Sequence, residues 1–201
     1  MVRRPLTIVV LLAALVAGTD AAAATEPLLG FHGDSMGAQA RTQITAKLSQ
    51  DHQPVVRARE RAVIDTMVPG IRELVERPVP PQIVVVELGS GDAQQRHTDA
   101  GMRADIRRVL HLTRDIPCVR WLSLKIAGVN AFYQGYVERA DDFNRILAQE
   151  VARHANARVA PYRQWAAADP NSFKADGLHH TEPGKTRFAA FIDQVADNCP
   201  G

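Results

Sequence analysis

The stretch FHGDSMGAQ, residues 31–39, places a serine between an apolar run and a segment rich in Ala and Gln. The apolar run predicts a strand and the segment after it predicts a helix. In the simplest interpretation this is a turn, in which Gly33 provides the bend and Asp34 or Ser35 caps the helix. In a chemical interpretation, a serine at a strand-to-helix junction lies at the mouth of an α/β sheet, where a nucleophile meets its substrate. This stretch alone leaves both interpretations open.

A serine hydroxyl needs a general base, and the base needs a group that orients it. The segment KADGLHHTEPG, residues 174–184, offers both. Asp176 and His179 are three residues apart, and in a tight turn this spacing brings the carboxylate to the imidazole and fixes its tautomer. We predict that His180 lies behind His179 or faces solvent. A metal site is the alternative, but it needs a third or fourth ligand at close spacing and the sequence shows none, so we predict neither a metal nor a cofactor.

Strand patterns and helix patterns alternate along the chain. Strands are predicted over residues 28–32, 55–58, 83–86, 119–126 and 158–160, and helices over 38–49, 62–75, 100–113 and 140–155, with a last helix starting near Glu182 or Pro183. This alternation predicts an α/β protein, a three-layer α/β/α sandwich around a five-stranded parallel sheet.

The strand order decides where the candidate residues meet. Right-handed crossovers allow few orders, and the flavodoxin-like order 2-1-3-4-5 is the commonest for five strands. In that order ligands bind outside the carboxyl ends of strands 1 and 3. Strand 1 leads into GDS, residues 33–35, and strand 3 leads into GSGD, residues 89–92. Both stretches are therefore expected to line one cleft.

Four aromatic residues fall in predicted loops near the mouth of this cleft. Tyr133 and Tyr136 belong to a long loop over residues 127–139, and Trp165 and Phe173 precede the last helix. We predict that they contribute to an acyl or sugar pocket. Packing within the loops is the alternative for each of them.

Taken together and in order, these motifs resemble the SGNH hydrolases, also called GDSL-type esterases and lipases, over residues 28–199. GDSMG resembles the family's first block, with Ser35 as nucleophile. ADGLHHTEPG resembles its last block, with Asp176 and His179 as acid and base, and VVVELGSGD resembles its third block. The resemblance implies one hydrolase domain over residues 25–201 and a serine ester hydrolase that works without a cofactor.

The second and third blocks depart from the family pattern. In the family, an Asn side chain of the third block donates to the oxyanion, and here Gly91 stands in its place, so we expect open space there. The second block supplies a glycine whose N–H is another donor, but no glycine stands near Ala62. The N–H of Ser35 is the donor that carries over. A main-chain N–H of Gly91, Ala62 or Arg61, or an Arg side chain, is expected to complete the hole.

These departures leave more than one function open. Removal of one oxyanion donor costs about 10²–10³ in rate, roughly 3–4 kcal/mol. The leading hypothesis is a serine ester hydrolase with low activity or a rebuilt oxyanion hole. The alternatives are an inactive binding or cell-envelope accessory protein on the same fold, and an acyltransferase that uses the same three residues.

The N-terminal residues resemble a secretory signal peptide. A basic start is followed by an apolar run over residues 6–17 and by small residues at 21–24. The apolar run is short for a membrane span. We predict that residues 1–24 are removed and that the protein is secreted, periplasmic or attached to the cell envelope, and an uncleaved anchor is the alternative. No later run is long enough to cross a membrane.

The sequence has two cysteines, Cys118 and Cys199. An exported protein with two cysteines usually pairs them. Cys199 also continues the apolar stripe of the predicted last helix, four residues after Val195. We predict a disulfide that ties this helix to a central strand, and two unpaired thiols are the alternative.

Charge and length limit the partners. The net charge is +2, and 24 Lys and Arg residues are interleaved with 22 Asp and Glu residues. Such a chain has no basic patch, so we predict no nucleic-acid partner. The length suits one domain, which we predict to be a monomer. The expected substrate is a small ester, a lipid or an acylated carbohydrate, and the sequence does not choose among them.

Overall fold

The computed structural model describes residues 26–130 and 133–199, so the predicted signal peptide lies outside the described residues. The five strands are β1 (Leu28–Gly33), β2 (Gln53–Ala58), β3 (Ile83–Glu87), β4 (Cys118–Leu122) and β5 (Ala157–Ala160). The helices are α1 (Ser35–Gln39), α2 (Arg41–Leu48), α3 (Ile64–Val75), α4 (Ser90–Gln94), α5 (Asp99–Leu112), α6 (Gln134–Val151), α7 (Tyr162–Ala168) and α8 (Glu182–Asp197), with a 3₁₀ turn at Pro170–Ser172.

The strands form one parallel sheet in the order β2-β1-β3-β4-β5. Central strand β3 is buried on both faces, as its β-branched run predicts. Helices α2 and α8 pack together, and α5 packs against both α3 and α6. Right-handed crossovers place these two groups on opposite faces of the sheet. The three-layer α/β/α fold and its strand order are thus confirmed.

Several predicted elements differ from those observed, among them the strand predicted over residues 119–126, which ends at Leu122. The helix predicted over residues 38–49 is two helices, α1 and α2, which meet at Ala40. Helix α6 begins six residues before the predicted 140, inside a predicted loop, and α7 also occupies a predicted loop. In α6 the buried residues Tyr136, Ala140, Phe143 and Leu147 form one helical stripe. The pattern therefore starts earlier than the prediction placed it.

Three of the four aromatic residues expected at the cleft are packed elsewhere. The ring of Tyr136 is buried in α6, and its hydroxyl donates to the Lys125 carbonyl at 2.9 Å. Trp165 lies in α7 with its ring 5.2 Å from that of Phe191, and Phe173 is buried. The loop-packing alternative holds for these three residues. Only Tyr133 lines the cleft.

A disulfide ties the end of the described chain to the sheet. Cys118, the first residue of β4, and Cys199, just after α8, form a disulfide with their Cα atoms 5.8 Å apart. The predicted pairing is therefore confirmed. Among the helices that the structure describes, none combines the length and the apolar character needed to cross a membrane.

Candidate active site

Ser35 is the first residue of α1, and only Asp34 separates it from the end of β1. The N–H of Asp34 donates to the Glu87 carbonyl at 3.0 Å and so joins the carboxyl ends of β1 and β3. The Asp34 carboxylate accepts the N–H of Met36 at 3.2 Å and caps the helix. The sequence therefore places Ser35 at the crevice where an open α/β sheet binds its ligands.

Asp176 and His179 lie on a tight loop before α8. The N–H of Lys174 donates to the His179 carbonyl at 2.8 Å and closes this loop. At its tip Gly177 has a φ of +69°, and a Cβ there would lie 1.8 Å from the Gly128 carbonyl oxygen. Only glycine fits such a turn, so Gly177 determines how the Asp176–His179 pair is presented.

The structure brings Ser35, His179 and Asp176 together. Ser35 Oγ lies 3.1 Å from His179 Nε2, and His179 Nδ1 lies 2.8 Å from Asp176 Oδ2. The other oxygen of Asp176 accepts the N–H groups of Leu178 and His179 at 2.8 and 2.9 Å. Partial burial raises the pKa of Asp176, but these N–H groups and the imidazole outweigh it and hold the pKa below its ordinary value. The carboxylate is therefore ionised at neutral pH.

His180 lies behind His179 and is buried. Its Nε2 is 3.0 Å from the Tyr162 hydroxyl, and its ring stacks on Phe188 with centroids 4.5 Å apart. Burial, followed by the charges around it, lowers its pKa to about 3, so the ring is neutral. His180 thus anchors the loop in the core and leaves His179 alone at the cleft.

Two main-chain N–H groups at the cleft are available to an oxyanion. Ser35 and Gly91 both line the cleft, and no described acceptor takes a hydrogen bond from their N–H groups. The N–H of Ala62, in contrast, donates to the Arg59 carbonyl at 3.2 Å within a turn. Arg61 in that turn has a φ of +56°, a conformation that favours glycine. The second block thus has the backbone of a glycine turn without the glycine.

The open space expected at Gly91 is absent, and this expectation was wrong. A Cβ on Gly91 would lie 2.1 Å from the Ala62 carbonyl oxygen. The buried carboxylate of Asp92 accepts the N–H of Ile64 at 3.1 Å and thereby holds residues 62–64 against α4. Burial also raises the pKa of Asp92 to about 6. The Ala62 carbonyl therefore occupies the space that a side chain at position 91 would need.

Sequence reasoning missed Glu87, which supports the turn below Ser35. Glu87 Oε2 accepts the N–H groups of Asp34 and Gly37 at 3.1 and 3.0 Å, and the side chain is buried. The signal was present in the sequence, because this acid directly follows a fully apolar strand. A buried carboxyl group in such a place has to be paired or hydrogen-bonded.

The cleft above Ser35 and His179 has a volume of about 650 Å³ and a largely polar lining. Its described lining residues are Asp34, Ser35, Gln39, Glu60, Arg61, Ser90, Gly91, Gln94, Gln95, Tyr133, Leu178 and His179. Three of them are glutamines and two more carry charged side chains at the rim. Amide and charged side chains bind hydroxyl-rich molecules better than alkyl chains, which require apolar walls.

Among the residues that the structure describes, two groups of His and acidic side chains have the spacing of metal ligands, and neither contains a member of the Ser35 site. They are His52, Asp193 and Asp197, and Asp92, His97 and Asp105. In the first group Lys47 lies 2.8 Å from Asp193 and already supplies a positive charge. In the second, Asp92 caps α3. We therefore assign neither group to the chemistry of the cleft.

Comparison with known proteins relates this geometry to known folds. No protein-family model and no curated protein match the sequence. A GDSL-like lipase from Bacteroides thetaiotaomicron has a similar structure, with 16% identity, a TM-score of 0.70, and coverage of 87% of this chain and 90% of that chain. A lipase/acylhydrolase from Enterococcus faecalis is also similar, with 16% identity, a TM-score of 0.66, and coverage of 84% and 94%.

A third similar structure is the C-terminal catalytic domain of peptidoglycan O-acetyltransferase A from Streptococcus pneumoniae. It shows 17% identity, a TM-score of 0.62, and coverage of 88% of this chain and 97% of that chain. At these identities the likeness concerns the fold. The chain therefore has the fold of the GDSL-type lipases and acylhydrolases, as its first and last motifs predicted.

Proposed function

We propose that this protein is a serine ester hydrolase. The observation that carries the proposal is the unbroken chain of contacts from Ser35 Oγ to His179 at 3.1 Å and from His179 to Asp176 at 2.8 Å. A hydroxyl, an imidazole and a carboxylate in this order form a nucleophile, a general base and an orienting group. These contacts join residues 144 positions apart in the sequence.

The reaction follows from the protonation states. The Nδ1–H of His179 donates a hydrogen bond to Asp176, so the Nε2 lone pair faces the Ser35 hydroxyl. His179 takes the hydroxyl proton as Ser35 Oγ attacks the acyl carbonyl, and the ionised Asp176 stabilises the imidazolium. His179 then gives this proton to the leaving alcohol. Water, activated by the same imidazole, hydrolyses the acyl-enzyme and restores the Ser35 hydroxyl.

We assign the oxyanion hole to the main-chain N–H groups of Ser35 and Gly91. Both line the cleft and both lack a described acceptor. Ala62 is not included, because its N–H is engaged by Arg59. A hole with two main-chain donors and no Asn amide has one donor fewer than the family pattern, which supports a lower rate than that of relatives with the full pattern.

The lining of the cleft favours one class of ester. Polar side chains around Ser35 suit a hydroxylated alcohol such as a carbohydrate, and the described lining offers few apolar side chains for a long acyl chain. We therefore place short acyl esters of polar alcohols before lipids. Transfer of the acyl group to a second alcohol uses the same steps, and the likeness to the pneumococcal O-acetyltransferase domain favours it as the second candidate.

We also propose that the protein is exported. A disulfide that closes a long stretch of chain persists in oxidising compartments and is rare in the cytosol. Export follows equally from the predicted signal peptide. The proposed export is tested by detection of the chain in the medium or the periplasm, with an N-terminus near residue 25.

The function is tested by the hydrolysis of p-nitrophenyl acetate, butyrate and octanoate by the mature protein, with Ser35→Ala as control. We expect kcat/KM to fall from acetate to octanoate, and turnover to vanish in Ser35→Ala. Turnover in the presence of a sugar acceptor that exceeds hydrolysis would favour the transferase. Absence of turnover with every ester tried would favour the inactive binding protein.

A further inference from the structure

Two carboxyl groups lie buried side by side directly below the proposed nucleophile. The side chains of Asp34 and Glu87 are 1% and 2% exposed. They are within hydrogen-bonding reach of each other. The reaction proposed for Ser35 gives neither of them a chemical role, so their close burial needs a separate explanation.

Two of the four carboxyl oxygens of Asp34 and Glu87 lack a hydrogen-bond partner among the described residues. Glu87 Oε2 accepts the N–H groups of Asp34 and Gly37 at 3.1 and 3.0 Å, on either side of Ser35. Asp34 Oδ1 accepts the N–H of Met36 at 3.2 Å. Asp34 Oδ2 and Glu87 Oε1 are buried and accept no hydrogen bond from a described residue, although the hydroxyl and the N–H of Ser90 lie close to Asp34. Each carboxyl group therefore has one satisfied and one unsatisfied oxygen.

The groups that face the pair do not neutralise it. Among the described residues, the phenols of Tyr136 in α6 and Tyr162 in α7 face the pair, since burial and then the charges of Asp34 and Glu87 raise their pKa, and His179 lies on the cleft side. Neither carboxyl group forms an ion pair with a described Lys, Arg or His. Two adjacent buried carboxylates without a cation cannot both stay ionised, because their repulsion is not screened.

We propose that Asp34 and Glu87 share one proton at neutral pH, that Glu87 Oε1 carries it and donates it to Asp34 Oδ2, and that this bond fixes the turn that presents Ser35. One proton satisfies both unpartnered oxygens. Its location on Glu87 follows from the surroundings, since the N–H of Met36 and both the hydroxyl and the N–H of Ser90 favour an anion on Asp34, whereas only two N–H groups favour one on Glu87. Glu87 and Asp34 are then positioning residues for the proposed hydrolase.

The electrostatics agree with this assignment. Burial, and then the charge of Asp34, raise the pKa of Glu87 well above its ordinary value, and burial raises the pKa of Asp34. The pair therefore titrates as a unit. The pKa of Glu87 in the folded protein exceeds its unfolded value of about 4.3. The stability that the protonated Glu87 contributes is therefore complete below about pH 4.3 and is lost as the pH rises toward the folded pKa.

The proton is observed directly by ¹³C NMR of the Glu87 carboxyl carbon, assigned by comparison with Glu87→Gln. We expect the chemical shift of a protonated acid at pH 7. The shift of an ionised carboxylate at that pH, with an ordinary midpoint near 4.3, would overturn the proposal. This measurement uses the wild-type protein and does not depend on turnover, so it stays decisive even if no ester is hydrolysed.

Two variants test the role of the proton. In Glu87→Gln an amide replaces the neutral acid and still accepts from Asp34 and Gly37, so we expect kcat/KM within about threefold of wild type, less than the effect of one lost hydrogen bond. Its Tm should rise relative to wild type as the pH increases from 5 to 9. In Glu87→Leu the acceptors are lost, and we expect kcat to fall about tenfold or more. Parallel pH profiles of Tm for wild type and Glu87→Gln would contradict the shared proton.

Discussion

At the scale of single residues, the site depends on the charge of two side chains, Asp176 and His180, and on the absence of a side chain at Gly91. Asp176 is ionised because two main-chain N–H groups and the imidazole stabilise its anion. His180 is neutral because it is buried. Gly91 lacks a side chain because the Ala62 carbonyl occupies that space. Each of these states has a measurable consequence.

Gly91→Ala should lower both stability and kcat. Its Cβ would lie 2.1 Å from the Ala62 carbonyl oxygen, and that backbone must move away. Such overpacking costs about 1–3 kcal/mol, and it displaces the N–H that we assign to the oxyanion hole. The matched control is Gly101→Ala in α5, where the new Cβ would meet only the Thr98 hydroxyl at 3.3 Å. Equal kcat values in the two variants would count against Gly91 as a donor.

Asp176→Asn should lower kcat by about 10²–10⁴, because the imidazole loses its orientation and the imidazolium loses its counter-charge. The pKa of Asp176 is below its ordinary value, so its contribution to stability is present above the unfolded pKa of about 3.9 and is lost as the pH falls through the folded value. The Tm difference between wild type and Asp176→Asn should therefore shrink in acid. Asp141→Asn, an exposed carboxylate on α6, is the control and should change neither quantity.

At the scale of elements, the sequence predicts the strands and helices well and their boundaries less well. The continuous IVVV run of β3 and the helical stripe of α8 are strong signals, and both elements form as predicted. The start of α6 was missed because Tyr136 was assigned to the cleft on the strength of its type alone. Its place on the stripe of Ala140, Phe143 and Leu147 could be read from the sequence, but the hydrogen bond from its hydroxyl to the Lys125 carbonyl could not.

The candidate site was likewise predicted only in part. The GDS and DGLHH motifs predict Ser35, Asp176 and His179, because their chemistry and their position at element ends can be read locally. The closure of Ala62 over Gly91 and the support of the turn by Glu87 cannot be read in this way. Both arise from the approach of two loops that are distant in sequence, and only the assembled sheet fixes their spacing.

The disulfide links two elements, since it joins the first residue of β4 to the chain that follows α8. It closes a separation of 81 residues. Replacement of both cysteines by Ser should lower the free energy of unfolding by about 4 kcal/mol in the chain-entropy model. Urea titration of wild type, the double variant and reduced wild type measures the effect. A change below about 1 kcal/mol would show that the unfolded chain is compact without the bridge.

At the scale of the whole molecule, the strand order 2-1-3-4-5 brings the ends of β1 and β3 together. The loop before α8 then reaches over them, so residues from the two ends of the described chain share one cleft. The architecture provides the same polar crevice for hydrolysis, for acyl transfer and for binding without chemistry. Only the reactivity of Ser35 separates the enzymes from the inactive binder.

Covalent labelling of Ser35 is therefore the most direct test of the central claim. The mature protein is treated with a fluorophosphonate, and intact mass and peptide mapping follow. We expect one adduct per chain on Ser35, formed much more slowly in His179→Ala and absent in Ser35→Ala. An unlabelled wild-type protein, or an adduct that forms equally fast in His179→Ala, would show that His179 does not activate Ser35 and would contradict the proposed hydrolase.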